Sequence, residues 1–365
     1  MKTLLVVFGT RPEAIKMCPL VKELKSRDSF RVVVCVTGQH RTMLTQVLDA
    51  FGVVPDFDLA IMQQHQTLSD VTSHILRGMG GVLEQVSPHA VLVHGDTSTT
   101  FAAALACFYR QIPVCHIEAG LRTYRIFSPF PEEFNRQAVG LVAKYHFAPT
   151  DAARQNLLRE GKDPDAVFVT GNTAIDALRT TVREDYTHPI LDWAADSRLV
   201  LITAHRRENL GQPMRSAFRA ICRVIEQHSD VKAVYPVHLN PTVKQIAAEE
   251  LGGCDRIRLT EPLDVVDFHN FLAQSYLVLT DSGGIQEEAP ALGKPVLVLR
   301  DTTERPEGVA AGTLKLVGTE EESVYQSFTA LLDDGGAYTA MARATNPYGD
   351  GTACIKIADI LERQA

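Results

Sequence analysis

The chain has 365 residues, of which 45% are hydrophobic and 22% charged, and its formal net charge is −8. This length exceeds one ordinary hydrophobic core and predicts two domains of a soluble, globular protein. Scattered basic residues and an acidic balance argue against nucleic acid or anionic membranes as partners. The sequence has no run of about 20 apolar residues, so we expect no membrane span and a cytoplasmic location.

Short aliphatic and β-branched runs recur at helix-length intervals along the chain. The predicted strands are 3–8, 32–36, 90–94, 113–117, 167–169, 199–203, 232–237, 277–280 and 295–299, with weaker runs at 257–259 and 314–316. Strands that are hydrophobic on both faces and alternate with helices form parallel sheets. Two successive sets of this kind predict an α/β protein with two Rossmann-like domains.

Two breaks in the pattern divide the chain. The first falls near 170–176, and the second falls at 346–351, ahead of an amphipathic helix over 353–362. We therefore predict an N-terminal domain of residues 1–171 plus 350–365 and a C-terminal domain of residues 172–349. The terminal helix is expected to pack back on the N-terminal domain.

The seven cysteines show neither a CxxC pair nor metal-like spacing with histidine. Most of them lie in apolar runs, which favours buried free thiols. We predict no metal site and no cofactor.

Polar or glycine-rich segments follow seven predicted strands, on the side where parallel sheets bind ligands. Two of them place Asp96 and Glu118 after consecutive strands, so these carboxylates are expected to lie side by side. Glu132 begins a predicted helix, where its charge could equally serve to stabilise the first turn. Asp96 could likewise be a helix N-cap. Together with cationic Arg11, His205 and Arg206, the three carboxylates favour acid/base chemistry beside a phosphate site.

The turn at 282–284, Ser-Gly-Gly, lies between a strand and a helix. Its backbone N–H groups are suited to a phosphate, and Glu288 is placed to accept hydrogen bonds from a ribose. Neither GxGxxG in the first βα turn nor GxxxxGK[ST] is present, which argues against a nicotinamide oxidoreductase and a kinase.

Seven motifs in this order resemble those of the bacterial non-hydrolysing UDP-N-acetylglucosamine 2-epimerases. They are 9–16, 94–97, 116–122, 131–136, 205–209, 236–241 and 282–288. The resemblance implies a glycosyltransferase-B-like fold with the active site between the domains, a homodimer, and no metal or nicotinamide. It also implies that C2 of the sugar is inverted through elimination of UDP, with 2-acetamidoglucal as the intermediate. The product, UDP-N-acetylmannosamine, would supply N-acetylmannosamine for cell-surface polysaccharide.

The resemblance also assigns roles to residues. It makes Asp96, Glu118, Glu132 and His205 catalytic, without deciding which carboxylate removes the C2 proton and which returns it. Substrate and UDP binding are assigned to Arg11, Lys16, Arg136, Asn172, His238, Phe268, Ser282, Gly283, Gly284 and Glu288.

Some members bind a second UDP-N-acetylglucosamine as an activator, and Gln39, Arg206 and His238 match positions used there. This chain carries Thr42 and His65 where activated relatives can carry Gln and Arg. Loss of a guanidinium removes a bidentate phosphate contact, so we expect activation by substrate to be weakened or altered.

Three other enzyme activities and one non-enzymatic function are alternatives to a non-hydrolysing 2-epimerase. A hydrolysing 2-epimerase would release free N-acetylmannosamine, and a 2-epimerase of a related UDP-acetamido sugar would differ in pocket shape. A UDP-sugar glycosyltransferase would leave the three carboxylates poorly explained. A nucleotide-sugar sensor would have no use for proton-transfer groups.

Overall fold

The computed structural model describes residues 1–38, 41–63 and 66–364, and for residues 41–43 it describes the backbone alone. The contacts within the chain divide it into two compact units. The first is Met1–Thr180 with Tyr348–Ala365, and the second is Thr181–Pro347. No helix in the described part of the chain is long and apolar enough to cross a membrane.

The first unit is a parallel sheet of seven strands with helices between them. The strands are β1 (Lys2–Phe8), β2 (Phe30–Val36), β3 (Phe57–Asp58), β4 (Ala90–His94), β5 (Val114–Ile117), β6 (Tyr145–Ala148) and β7 (Val167–Val169). The helices are α1 (Arg11–Lys25), α2 (Arg41–Phe51), α3 (Leu68–Val86), α4 (Ser98–Tyr109), α5 (Glu132–Val142), α6 (Asp151–Arg159) and α7 (Thr173–Thr181). The strand order is β3-β2-β1-β4-β5-β6-β7, which is the Rossmann order with an added edge strand.

The second unit repeats this plan with six strands. The strands are β8 (Arg198–Thr203), β9 (Val231–Pro236), β10 (Ile257–Thr260), β11 (Leu277–Thr280), β12 (Val296–Val298) and β13 (Leu314–Leu316). The helices are α8 (Pro189–Ala194), α9 (Gln212–Gln227), α10 (Pro241–Leu251), α11 (Val265–Gln274), α12 (Ile285–Ala291), α13 (Pro306–Ala311), α14 (Glu321–Asp333) and α15 (Gly335–Ala342). Its order, β10-β9-β8-β11-β12-β13, again reverses direction beside its first strand.

The central strands are buried on both faces, as their unbroken apolar sequences predict. Leu4 to Phe8 of β1 are each 0% exposed, and so are all four residues of β11. Burial of a side chain of this size stabilises the fold by about 1.5–3 kcal/mol. The prediction of two parallel α/β sheets is confirmed.

The last helix, α16 (Ala353–Gln364), belongs to the first unit and packs against α1. Arg27 of α1 forms an ion pair with Asp359 at 2.8 Å, and Lys2 donates to the carbonyl of Glu362 at 3.0 Å. The expectation that the terminal helix packs back on the N-terminal part of the chain is therefore confirmed.

The first unit extends further along the chain than the predicted boundary at residue 171. Helix α7 lies in this unit up to Thr180 because the Asp176 carboxylate accepts hydrogen bonds from the backbone of Ala353 and Cys354, at 3.2 and 2.8 Å. Asp176 thus caps the N-terminus of α16 from a helix 177 residues earlier.

Two strands were not predicted. Strand β3 has two residues, and β6 has the sequence Tyr-His-Phe-Ala, which carries a polar side chain in place of a β-branched run. Their pairing with β2 and β5 comes from the sheet, because neither segment has a strong strand pattern of its own.

Candidate active site

Each sheet reverses its strand order at one point, and several predicted site residues follow the strands beside these reversals. In the first unit the reversal lies between β1 and β4, and in the second it lies between β8 and β11. Loops that leave the carboxyl ends of such a strand pair diverge to opposite faces and leave a crevice in which ligands bind. Each unit therefore has its own set of predicted site residues.

In the first unit, Asp96 and Glu118 follow neighbouring strands. Strand β4 pairs with β5 in a register that sets His94 opposite Ile117, so both loops leave the same edge of the sheet. Burial raises the pKa of Asp96, and the negative charge of Glu118 adds to the rise. Glu118 has a φ of +59°, a left-handed conformation that is uncommon for a residue with a Cβ. Asp96 and Glu118 thus follow neighbouring strands at the same edge of the sheet, as predicted.

The Glu118 carboxylate is held by two residues that were predicted to bind the substrate. Lys16 of α1 forms an ion pair with Oε1, and the side-chain amide of Asn172 donates to the same oxygen at 2.8 Å. The carboxylate is 10% exposed, and His94 Nε2 lies 3.7 Å from its other oxygen. Asn172, which was predicted to begin the second domain, therefore lies in the first unit beside Glu118.

Asp96 is paired with Arg136 of α5, whose Nε and Nη2 donate to Oδ2 at 2.8 and 2.7 Å. Burial raises the pKa of Asp96, while the charge of Arg136 acts in the opposite direction and those of Glu118 and Glu132 add to the rise. A carboxyl group with a raised pKa can hold and release a proton closer to neutral pH. Asp96 is not the N-cap of α4, since Thr97 occupies that position and accepts from Thr100 N at 3.1 Å.

Glu133 positions Arg136 from the adjacent turn of α5. Its buried carboxylate accepts from Arg136 at 2.9 Å and from the backbone N–H groups of Thr123 and Tyr124, both at 3.0 Å. Glu132 is the half-buried first residue of α5, where its charge also favours the helix N-terminus.

Glu13 is a buried acidic residue that sequence reasoning did not select. It is 2% exposed, and its Oε2 accepts from the N–H groups of Gly9 and Thr10 at 3.0 and 2.8 Å. Its Oε1 accepts from the hydroxyls of Thr97 and Thr100 at 2.7 and 3.1 Å. Glu13 therefore ties the loop after β1, which leads into Arg11, to the loop after β4 that carries Asp96. Thr10 and Glu13 form a capping box, and this Thr-x-x-Glu pattern is the sequence signal that could have singled out Glu13.

In the second unit, Asp281 plays a similar part between β8 and β11. Its fully buried carboxylate accepts from the backbone N–H groups of His205 and Arg206, both at 2.8 Å. The His205 ring stacks on His238 with 5.3 Å between centroids, and its Nδ1 lies 3.4 Å from Asp281 Oδ1. Burial lowers the pKa of His205, and the charge of Asp281 opposes this. Asp281 thus fixes the orientation of the predicted catalytic imidazole.

The glycine-rich turn after β11 carries a cation beside it. A Cβ on Gly283 would come within 2.8 Å of Arg305 Nη1, so the guanidinium lies directly against the turn. Arg305 is held by Glu287 at 2.8 Å. The N–H of Ser282 donates to the Thr280 hydroxyl at 2.9 Å, so this predicted phosphate donor is already engaged, whereas Gly284 is the N-cap residue of α12. Arg305 was missed because it lies 21 residues beyond the turn in sequence.

The remaining predicted residues have the following places. Glu288 lies on α12 with Oε2 3.8 Å from His269 Nε2, and the half-buried Phe268 lies on α11 next to His269. Arg11 is the first residue of α1. Of the predicted activator residues, Gln39 and His65 lie outside the described part of the chain, and the side chain of Thr42 is not described.

The fold and these strand ends define a class: an α/β protein with two Rossmann-like sheets, one carrying acid/base carboxylates and the other imidazole, guanidinium and glycine-rich groups. The family model described as UDP-N-acetylglucosamine 2-epimerase matches residues 22–362. The chain belongs to this family, which confirms the resemblance inferred from its motifs.

Individual relatives are similar over nearly the whole chain. The UDP-N-acetylglucosamine 2-epimerase of Bacillus subtilis (strain 168) is 59% identical over 357 residues, covering 98% of this chain and 94% of that protein. The enzyme of the same name from Escherichia coli (strain K12) is 50% identical, with 98% of each covered. The crystal structure of UDP-GlcNAc 2-epimerase from Neisseria meningitidis bound to UDP-GlcNAc matches with a TM-score of 0.91 at 47% identity, covering 99% of this chain and 100% of that one.

Proposed function

We propose that this chain is a non-hydrolysing UDP-N-acetylglucosamine 2-epimerase, which interconverts UDP-N-acetylglucosamine and UDP-N-acetylmannosamine. The observation that carries the proposal is the placement of Asp96 and Glu118 on one sheet edge in a member of this family, each with its own cationic partner. Two carboxylates in different environments can differ in protonation, as proton removal and proton return require.

The chemistry begins at C2 and C1 of the sugar. A base removes the C2 proton, the C1–O bond breaks, and UDP leaves with the bonding electrons to give 2-acetamidoglucal. UDP then adds back to C1, and C2 receives a proton on the opposite face. Asp96, Glu118 and Glu132 are the proposed proton-transfer groups, and the order in which they act is open.

The leaving group needs stabilisation because the C2–H bond is a weak acid. Preorganised cations and N–H dipoles directed at developing charge supply this in enzymes. In the first unit Arg11 is the proposed contributor, and Lys16 joins it while also holding Glu118. In the second unit the contributors are His205, oriented by Asp281, and the 283–284 turn backed by Arg305.

The direct test is proton NMR of the purified protein with UDP-N-acetylglucosamine in heavy water. We expect the anomeric signal of UDP-N-acetylmannosamine and deuterium at C2 of the sugar, with no redox cofactor added. Free N-acetylmannosamine with UDP would instead identify the hydrolysing reaction. No reaction would favour a related UDP-acetamido sugar, to be tested by substrate screening, and would contradict the proposal.

A pair of variants assigns the reaction to the proposed carboxylates. Asp96→Asn removes the titratable group but keeps its size, and we expect kcat to fall by about 10²–10⁴-fold, the usual contribution of general acid/base catalysis. Asp151→Asn changes an exposed aspartate at the start of α6 in the same unit and should leave kcat unchanged. Equal rates for both variants would remove Asp96 from the mechanism.

The enzyme acts as a homodimer, which sedimentation equilibrium would test. Its product supplies N-acetylmannosamine for cell-surface polysaccharide. Activation by a second substrate molecule is weakened, and a clearly sigmoidal dependence of initial rate on UDP-N-acetylglucosamine would contradict this.

A further inference from the structure

A group of three potential metal ligands lies in the second unit, among residues that the proposed reaction does not use. Cys222 and Glu226 belong to α9, and Cys254 lies between α10 and β10. The two sulfur atoms and one carboxylate oxygen are all within 4.8 Å of one another. Among the described residues, this is the one group of three or more cysteine, histidine or acidic side chains arranged in this way.

The fold brings the three together from separate elements. Cys222 and Glu226 are four residues apart on a helix, so their side chains lie on the same face. Cys254 sits in a turn whose backbone is fixed, because its N–H donates to Leu251 O at 3.1 Å and its carbonyl accepts from Ile257 N at 2.9 Å. Cys254 is buried in the hydrophobic core and Cys222 packs against that core. The two thiols are 32 positions apart, and cysteine spacing in the sequence did not reveal them.

The separations fit a tetrahedral zinc site. Zn–S bonds of about 2.3 Å and Zn–O bonds of about 2.1 Å imply ligand separations of roughly 3.8 Å for S···S and 3.6 Å for S···O. The observed distance from Cys222 Sγ to Glu226 Oε1 is 3.7 Å. The other separations, at most 4.8 Å, need shifts of at most about 1 Å, which rotation of the half-buried Cys222 and the exposed Glu226 side chains can supply.

The donor types select the cation. Thiolates prefer zinc and other soft metals, whereas magnesium and calcium prefer sites made of oxygen ligands. Glu226 is exposed and Cys222 is half-buried, so a cation can reach the group from solvent and a water can fill the fourth position.

We propose that Cys222, Cys254 and Glu226 bind one zinc ion per chain. Binding replaces the two thiol protons, so a Zn²⁺ ion enters and two protons leave to solvent. The bound ion links α9 to the turn before β10 and stabilises the second unit. It takes no part in epimerisation.

The test uses the full-length protein after removal of metal by a chelator. Titration with Cd²⁺, a spectroscopic substitute for zinc, should show one equivalent bound with the ultraviolet absorption of cadmium thiolate. Zn²⁺ should displace it and raise the Tm. Loss of an outer partner of a metal ligand already weakens binding about 10–100-fold, so Cys222→Ser should weaken it at least as much.

Two controls separate metal binding from misfolding. Glu226→Gln changes an exposed side chain, so the fold should persist while the affinity for Cd²⁺ falls. Cys107→Ala removes a buried cysteine of the first unit and should bind Cd²⁺ as the unaltered protein does. All three variants should retain the epimerase rate.

Other results would overturn the proposal. One is uptake of Cd²⁺ without thiolate absorption, and another is unchanged affinity in Cys222→Ser. A third is formation of a Cys222–Cys254 disulfide in air by a protein that takes up neither Cd²⁺ nor Zn²⁺, which would identify a redox pair instead.

Discussion

At the scale of single residues, the candidate site is organised by acidic side chains that need not touch the substrate. Glu13 receives four hydrogen bonds and Asp281 holds the backbone of His205 and Arg206. Each carboxylate spans the loops that leave two neighbouring strands at a reversal of strand order. In both units, a buried carboxylate accepts hydrogen bonds from backbone N–H groups. These hydrogen bonds hold in place the loops that carry the proposed catalytic groups.

Glu13 allows a direct test of this positioning role. Glu13→Ala leaves the backbone N–H groups of Gly9 and Thr10 without their acceptor. Buried unsatisfied donors cost about 1–3 kcal/mol each, so we expect a loss on the order of 3 kcal/mol in the free energy of unfolding. The kcat should also fall, because the loops of Arg11 and Asp96 lose their common anchor. Urea unfolding and initial rates measure both effects.

Two other substitutions serve as comparisons for Glu13→Ala. Glu13→Gln keeps an oxygen for the two backbone N–H groups and should retain most of the stability. Glu23→Ala on the same helix removes a partly exposed ion pair with Arg27 and should cost little, since such pairs contribute about 0–1 kcal/mol. The positioning role would be refuted by a Glu13→Ala variant as stable as Glu23→Ala.

At the scale of elements, the loop from β5 toward α5 depends on close backbone packing. Glu118 and Gly120 both have positive φ, and a Cβ on Gly120 would lie 2.3 Å from the carbonyl oxygen of Ala153 in α6. This loop carries Glu118, so its path decides where the carboxylate lies. Glycine is required at 120 for two separate reasons, the conformation and the lack of space.

A pair of glycine variants separates these two reasons. Gly161→Ala changes a glycine of φ +78° with open space around its Cβ position, and should cost about 1–2 kcal/mol from the left-handed conformation alone. Gly120→Ala, at φ +92°, adds the clash with α6 and should cost clearly more. Urea unfolding of both proteins measures the difference, and equal losses would show that the packing against α6 adjusts freely.

At the scale of the whole molecule, buried histidines make stability depend on pH. Burial lowers the pKa of His94 to about 4, of His116 to about 3 and of His146 to about 4. The unfolded chain binds these protons near pH 6.5, so between about pH 6.5 and pH 4 it holds more protons than the folded chain. The free energy of unfolding therefore falls as pH is lowered through this window. The raised pKa values of Glu13, Asp96 and Asp176 act in the opposite sense.

His146→Gln isolates one of these contributions. A shift from 6.5 to about 4 corresponds to on the order of 3 kcal/mol lost on full acidification, and glutamine does not titrate. We expect the variant to lose less stability than the unaltered protein between pH 7 and pH 4.5, as measured by urea unfolding at each pH. Parallel pH dependence of the two proteins would contradict the assignment.

Much of the fold follows from local sequence patterns. Apolar runs such as 3–8 and 277–280 predict buried parallel strands because a strand hydrophobic on both faces needs covering on both sides. The polar segments that follow them predict the edge of the sheet where ligands bind, and this located Asp96, Glu118 and His205 correctly at strand ends. Short or polar strands such as β3 and β6 carry no such signal.

The partners of those residues come from the three-dimensional fold. Lys16 with Glu118, Arg136 with Asp96, and Arg305 with the 283–284 turn join residues that lie between 21 and 102 positions apart. Periodicity and capping motifs act over a few residues, so they predict strands, helices and their ends. Which charged groups meet depends on strand order and helix packing, and these are set by burial summed over each unit.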